Sequence, residues 1–364
     1  MMYENEIEAL KRAGRFRERK LYDDTLKDLA SNDYLGLATK KKHLKKAMKL
    51  LDDYATISPK ASMLVNGYHP IHRIFEMELA EANNFEEGLV VGSGFLANMA
   101  LIESLVRKGD MLFMDEEYHA SGVLASQLLG KRVVKFKHND IEDLKEKLEA
   151  YPGKRQIIAI EGVYSMGGDL AKKEIFDLAE EKQALMIVDE AHSAGVLGWK
   201  LQGIFEHYGI PITERHIKMG TLGKAYGSYG AYILASKEII SFLENRAKSV
   251  IYSTAPSVID TALALVNFRY IRKKAEKIKE EIKERQEIVK QEYGINLQSL
   301  ILPIAVKSNE QALFLQKGLM AQGYLVGAIR PPTVAQPILR VILSLAVPMR
   351  EIKHALALIH HNLD

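Results

Sequence analysis

Hydrophobic positions follow two rhythms along the chain. Between residues 88 and 234, short apolar runs alternate with amphipathic stretches. The runs at 89–91, 111–114, 133–136, 157–160, 184–188, 217–219 and 230–234 read as buried strands. The stretches up to 105 and at 121–129, 141–150 and 173–182 read as helices. Such alternation predicts an α/β domain around a mainly parallel sheet. Before it come a polar, Arg/Lys-rich helix over 4–20 and a short strand and turn over 29–37. A basic helix over 40–51 follows, with Leu44, Ala47, Met48 and Leu51 on one face, then an amphipathic helix over 71–82. After Pro256 the spacing predicts one long charged helix to about residue 292, its Lys/Glu run a solvated face. Beyond it, strands at 300–306, 325–329 and 339–345 and helices at 311–321 and 352–360 form a smaller α+β pattern. The expected division is an N-terminal arm and helix (1–50), a large α/β domain (51–260) and a small C-terminal domain (261–364) joined through the long helix.

In parallel sheets, ligands bind outside the carboxyl ends of the strands. Glu161, Asp189 and Thr221 each fall where an apolar run ends, which predicts that they share one site. Just after Thr221, Lys224 stands among Gly220, Gly223 and Gly227. Glycine allows a tight turn and close approach to a ligand. A lysine held there can act as an amine nucleophile once its pKa falls.

Composition narrows the field. The chain has 364 residues, 27% of them charged, and a net charge of +3, which gives no argument for a nucleic-acid partner. It has no cysteine, which excludes disulfides, thiolate metal sites and cysteine nucleophiles. No metal site is expected. The N-terminus is acidic and lacks the apolar run of a secretory signal, and nothing reads as a membrane span, so a cytoplasmic location is expected.

Several motifs invite wrong readings. Asp189-Glu190-Ala191-His192 spells a helicase box, but no phosphate loop GxxxxGK[ST] precedes it. Gly92-Ser93-Gly94 suggests a dinucleotide fingerprint, yet Ala97 stands where the third glycine belongs, leaving a nicotinamide-dependent oxidoreductase as a weak rival. Ser165, His192 and Asp189 could be assembled into a hydrolase triad, but no GxSxG elbow supports it. A pyridoxal 5'-phosphate (PLP) site accounts for more residues at once. Lys224 would supply the Schiff base and Asp189 the carboxylate for the pyridine nitrogen. The backbone N–H groups of Gly94 and Phe95, opening a helix, would take the phosphate, with the Thr221 hydroxyl.

The segments Asp189-Glu190-Ala191-His192-Ser193-Ala194-Gly195 and Gly220-Thr221-Leu222-Gly223-Lys224 resemble the α-oxoamine synthases, PLP-dependent transferases of fold type I. So do Ser31-Asn32-Asp33-Tyr34-Leu35-Gly36, Ser93-Gly94-Phe95-Leu96-Ala97-Asn98, Glu161-Gly162-Val163-Tyr164-Ser165 and Ala328-Ile329-Arg330-Pro331-Pro332-Thr333. The resemblance runs in order through nearly the whole chain. It implies a large PLP-binding domain and a decarboxylative condensation of an amino acid with an acyl thioester. It further implies that Lys224, Asp189, His119 and His192 are catalytic, with His119 stacked on the ring and His192 and Ser165 beside the ring hydroxyl. Glu161, at its strand end, joins the cofactor-binding set. Asn32 and Arg340 would hold the amino-acid carboxylate, and Arg17, Arg330 and Thr333 would line the acyl side. Ser253 and Thr254 would reach the phosphate of a second subunit, which implies a homodimer with shared sites.

The stretch around Arg330 looks most like members that make 8-amino-7-oxononanoate for biotin. The expected substrates are therefore L-alanine and a pimeloyl thioester of coenzyme A or an acyl carrier protein. Acetyl transfer to glycine is the rival within the family. The sequence departs from the family pattern at three places. Ser58-Pro59-Lys60-Ala61-Ser62-Met63 stands where the family has a glycine turn and an arginine, Met166-Gly167-Gly168-Asp169 replaces Met-Asp-Gly-Asp, and Pro256-Ser257 replaces a double proline.

Overall fold

The computed structural model describes residues 2–363. The N-terminal helix α1 covers Glu4–Arg12, shorter than the 4–20 expected, and buries no side chain. The first strand, β1 (Lys27–Leu29), lies ahead of the predicted strand-and-turn segment, most of which is turn. Helix α2 (Lys41–Lys49) turns His43 and Ala47 inward, while Leu44 and Met48 are exposed. That corrects the face read from the apolar residues. The reason is a buried polar pair, His43 Nδ1 with Asn267 Oδ1 at 2.6 Å, which apolar periodicity cannot reveal. A π-helical turn at Met63–Gly67 leads to α3 (Pro70–Asn83), where Pro70 opens the helix and Asn84 closes it at φ 60°.

The large sheet follows. Its elements are β2 (Glu87–Val91), α4 (Gly94–Leu105), β3 (Met111–Asp115), α5 (Ala120–Ser126), β4 (Val133–Phe136), α6 (Ile141–Ala150) and β5 (Gln156–Glu161). Then come α7 (Lys173–Glu181), β6 (Leu185–Asp189), α8 (Ile204–Tyr208), β7 (His216–Thr221), β8 (Ala231–Ala235), α9 (Lys237–Arg246) and α10 (Lys248–Ile251). The helix expected over 121–129 tightens into a 3-10 turn from Gln127, where Gly130 takes φ 59°. The strand order is β2-β8-β7-β6-β5-β3-β4. All pairs from β7 to β4 are parallel, and β8 and β2 add antiparallel pairs at one end. The apolar runs are continuous because both sheet faces are covered over the inner strands, while the edge strand β4 exposes Lys135. β5 lies on the opposite side of β3 from β4, and this reversal makes the crevice where α/β sheets bind ligands.

The helix expected after Pro256 is two helices, α11 (Val258–Lys273) and α12 (Ala275–Tyr293), interrupted at Lys274 (φ −111°). The first is a core element carrying Ala262, Leu265, Phe268 and Ile271 inward. The second carries most of the charge, with Ile278 and Ile282 packed in and most of its lysines facing out. The remaining elements are β9 (Ile301–Ala305), α13 (Asn309–Ala321), β10 (Tyr324–Ile329), β11 (Ile338–Ile342) and α14 (Met349–His361). They form a four-stranded sheet in the order β1-β10-β11-β9, so the N-terminal β1 pairs, in parallel, with the C-terminal β10. Leu345 N donates to Tyr34 O (2.8 Å) and Ser344 Oγ to Asp33 O (2.7 Å), docking the 32–34 turn onto this sheet beside Arg340 of β11. Among the described residues, no helix is long and apolar enough to cross a membrane, and no cluster of His, Asp and Glu could hold a metal ion.

Candidate active site

β5, β6 and β7 end at Glu161, Asp189 and Thr221, side by side at one rim of the large sheet. Glu161 and Asp189 are register partners and are 1% and 3% exposed. Asp189 Oδ1 accepts from Ala191 N (2.9 Å) and Oδ2 from Asn98 Nδ2 (3.0 Å). Asn98, on α4, is a hub. It accepts from Tyr118 OH (2.7 Å) and also donates to Ser121 Oγ (2.9 Å). Ser121 Oγ lies 2.7 Å from His119 Nδ1, so one buried amide links Asp189 to His119.

On the other side of Asp189, Lys224 Nζ lies 2.8 Å from His192 Nε2, and His192 Nδ1 lies 2.5 Å from Tyr34 OH. Burial lowers the Lys224 pKa to about 8, against the pull of Asp189 and Glu161, so the free amine is populated in mildly alkaline solution. Burial, then the Lys224 and Arg340 charges, hold His192 well below the usual histidine range and keep the ring neutral. A charged Lys224 therefore donates to Nε2, and Nδ1–H donates to Tyr34. Burial pushes the Tyr34 hydroxyl up to about 12, so it stays protonated.

Arg340 is 5% exposed. Its Nε donates to Ser165 O (2.8 Å) and its Nη1 to Asn32 Oδ1 (3.1 Å), while buried Nη2 has no partner. Arg17, Arg330 and Thr333 come together elsewhere, around an open cleft of about 660 Å³ that Arg15 and Lys20 also line. There Arg17 Nη2 donates to Thr333 Oγ1 (3.2 Å) and Arg330 Nη1 to Gly14 O (3.3 Å). Ser253 and Thr254 lie on the segment between α10 and α11 with no hydrogen bond to the other site residues of this chain. Asn98, Tyr118, Ser121 and Tyr34 are members of the site that the sequence reading assigned no role. Asn98 and Tyr34 stood within quoted motifs, but nothing in their spacing shows which strand end they reach.

PLP can be tested against these residues. Its phosphate needs donors, and Gly94 and Phe95, the first residues of α4, have N–H groups that no turn of helix can use. The buried Thr221 hydroxyl has no partner. A Cβ on Gly94 would stand 2.7 Å from Thr221 Cγ2, so the glycine keeps the space between helix and strand open. With a lysine amine at Lys224 and a carboxyl at Asp189, the donor set fits the cofactor.

Comparison with known proteins points the same way. The family described as aminotransferase class I and II matches residues 24–359. The 8-amino-7-oxononanoate synthase of Helicobacter pylori (strain ATCC 700392 / 26695) is 47% identical over 354 residues, 97% of this chain and 95% of that protein. The 8-amino-7-oxononanoate synthase of Alkalilimnicola ehrlichii is 35% identical over 87% of this chain and 83% of its own. Among solved structures, the 8-amino-7-oxononanoate synthase of Francisella tularensis aligns with a TM-score of 0.76 at 28% identity, covering 93% of this chain and 97% of that one. Sphingomonas wittichii serine palmitoyltransferase shares the fold, with a TM-score of 0.87 at 24% identity over 99% of this chain and 97% of that one. The chain thus belongs to the class I and II aminotransferase family and, within it, to the α-oxoamine synthases, enzymes that use PLP to transfer an acyl group onto carbon.

Proposed function

We propose that the enzyme condenses L-alanine with a pimeloyl thioester, releasing CO2 and a thiol and forming 8-amino-7-oxononanoate, a step of biotin synthesis. The observation that carries this reading is the cationic cleft of about 660 Å³ bounded by Arg17, Arg330 and Thr333, in a chain 47% identical to a relative of that name. A long acyl chain with a polar far end suits such a cleft. An acetyl group would leave it unused.

Bound PLP supplies an electron sink for the amino acid's α-carbon. The chain's own residues do the rest. Gly94, Phe95 and Thr221 would hold the phosphate, Asp189 the ring nitrogen, and His119 the ring face, with Ser165 and His192 beside the ring hydroxyl. The unpartnered Nη2 of Arg340, with Asn32 alongside, would bind the alanine carboxylate and fix the direction of the Cα–H bond. Lys224 takes the α-proton as its free amine. The alanine α-carbon then bonds to the thioester carbonyl carbon as the thiolate departs. The carboxylate leaves as CO2, and Lys224 returns a proton to the α-carbon. His192, kept neutral 2.8 Å away, orients the Lys224 amine without competing for its proton. The reading includes a homodimer in which Ser253 and Thr254 serve the partner's site.

A competition assay tests the substrates, with L-alanine, glycine, pimeloyl thioester and acetyl thioester present together. One methyl group is worth only about 1–3 kcal/mol, so a modest preference for alanine is expected. Each buried methylene adds about 0.8 kcal/mol, so the preference for pimeloyl should be strong. Dominant formation of 2-amino-3-ketobutyrate would overturn the substrate assignment and leave the family intact.

A further inference from the structure

We propose that Glu161 is held as a neutral carboxylic acid, and that in this form it positions Arg340 and offers the site a hydrogen-bond donor. Glu161 and Asp189 occupy the same register on adjacent parallel strands, so their side chains leave the same face of the sheet as immediate neighbours. Both are buried. Two carboxylates so placed do not both ionise, and the one with more donors keeps the charge.

The donors are unequal. Asp189 has a hydrogen bond on each oxygen, from Ala191 N and Asn98 Nδ2. Glu161 has one, from Ser165 N to Oε2 at 3.1 Å, and its buried Oε1 has none. The proton therefore belongs on Glu161, with the acceptor role at Oε2 and the O–H at Oε1. The surrounding groups agree. Burial first, then Asp189 and Asp115, push the Glu161 carboxyl well above the usual range, and only Lys224 and the Ser165 N–H oppose them. Tyr34, Tyr118 and Tyr164, which also feel Glu161, are all raised and so neutral. Once Lys224 is uncharged, Asp189 and Arg340 balance one another, and a second carboxylate would be in excess.

The backbone of one residue carries the consequence. Ser165 N donates to Glu161, and Ser165 O accepts from Arg340 Nε at 2.8 Å. Glu161 thereby aims the guanidinium through the Ser165 backbone. Its neutrality keeps a negative charge away from the carboxylate that Arg340 would bind. The O–H at Oε1 is left for an acceptor atom of a molecule in the site. The role in turnover rests on the function proposed above, whereas the protonation state does not.

Infrared spectroscopy of the full chain tests the charge directly. Asp33, Glu76, Glu117 and Glu244 are also raised by burial, so the difference between wild-type and Glu161→Gln spectra at neutral pH is what isolates Glu161. A protonated-carboxyl C=O band should then be present in the wild type and missing from Glu161→Gln. Identical spectra would overturn the proposal. Adding PLP, and then L-alanine to the holoenzyme, should shift the band at one step, which identifies the acceptor. No shift at either step would remove the donor role. Kinetics of the holoenzyme give the second arm. Glu161→Gln mimics the neutral acid and should lose clearly less kcat/KM than Glu161→Leu, which should lose roughly ten- to hundredfold, mainly in KM for the amino acid. Equal losses in both variants would mean that Glu161 works as an anion.

Discussion

Lys224 shows what burial does to a single residue. An ammonium is penalised in this site, and the pKa falls from 10.5 to about 8. The sign of the effect on stability follows. A base whose folded value lies below its unfolded value costs stability wherever the folded group is charged. That cost is full below about pH 8 and fades as pH rises toward about 10.5, because the unfolded chain then binds more protons than the folded one. Lys224→Met should therefore be inactive, and its apoprotein should gain on the wild type at neutral pH. Thermal melts across pH check this. The stability of the wild type relative to the variant should rise between about pH 8 and 10.5, and a fall over that range would contradict the assignment.

At the scale of an element, β2 is an edge strand, and its outward N–H groups need cover. Helix α3 supplies it. Glu76 Oε1 accepts from Val90 N at 2.8 Å, and Oε2 accepts from Tyr68 OH at 2.5 Å. Burial raises the Glu76 carboxyl from 4.5 to about 7, so near neutrality it is half protonated. Here the folded value exceeds the unfolded one. The wild type is favoured below about 4.5 and loses stability as pH rises through about 7. Glu76→Gln keeps an acceptor for Val90 and carries no charge. Denaturant titrations should find the two proteins similar at about pH 5. At about pH 8 the variant should be ahead by up to roughly 3 kcal/mol, at about 1.4 kcal/mol per tenfold change. Equal stability at both would show that Glu76 ionises freely.

For the whole molecule, the surface raises the question of a second copy. Leu64 and Val65 on the π-helical turn, Phe95 on α4, Tyr252 after α10, and Leu44 and Met48 on α2 are all exposed. α10 packs on both α4 and the π-helical turn, so the segments that carry the first four are neighbours. Patches of this kind mark interfaces. Under the proposed homodimer, Thr254 serves the partner's site. A hybrid of Lys224→Ala and Thr254→Ala chains then has one site with both residues intact. Co-expressed, differently tagged and purified heterodimers should recover activity that neither parent homodimer has. No recovery would mean that each site is built within one chain.

Much of the architecture was legible because its cause is local. Continuous apolar runs stopped by Glu161, Asp189 and Thr221 announced buried parallel strands and where they end, and the glycines around Lys224 announced the turn. The order of strands was not legible, and neither was the pairing of β1 with β10, since both depend on contacts distant in sequence. The inward face of α2 was misread because a buried His43–Asn267 pair, not an apolar stripe, seats it. The break at Lys274 escaped because a charged run continues across it. At the site, residue types suggested which groups carry chemistry, but only the tertiary structure decided their state. It set Glu161 beside Asp189, gave Asp189 the second donor from Asn98, and brought Lys224 against His192. Whether a carboxyl or an amine is charged depends on burial and on neighbours supplied by other strands and helices. A linear sequence names those groups but does not bring them together.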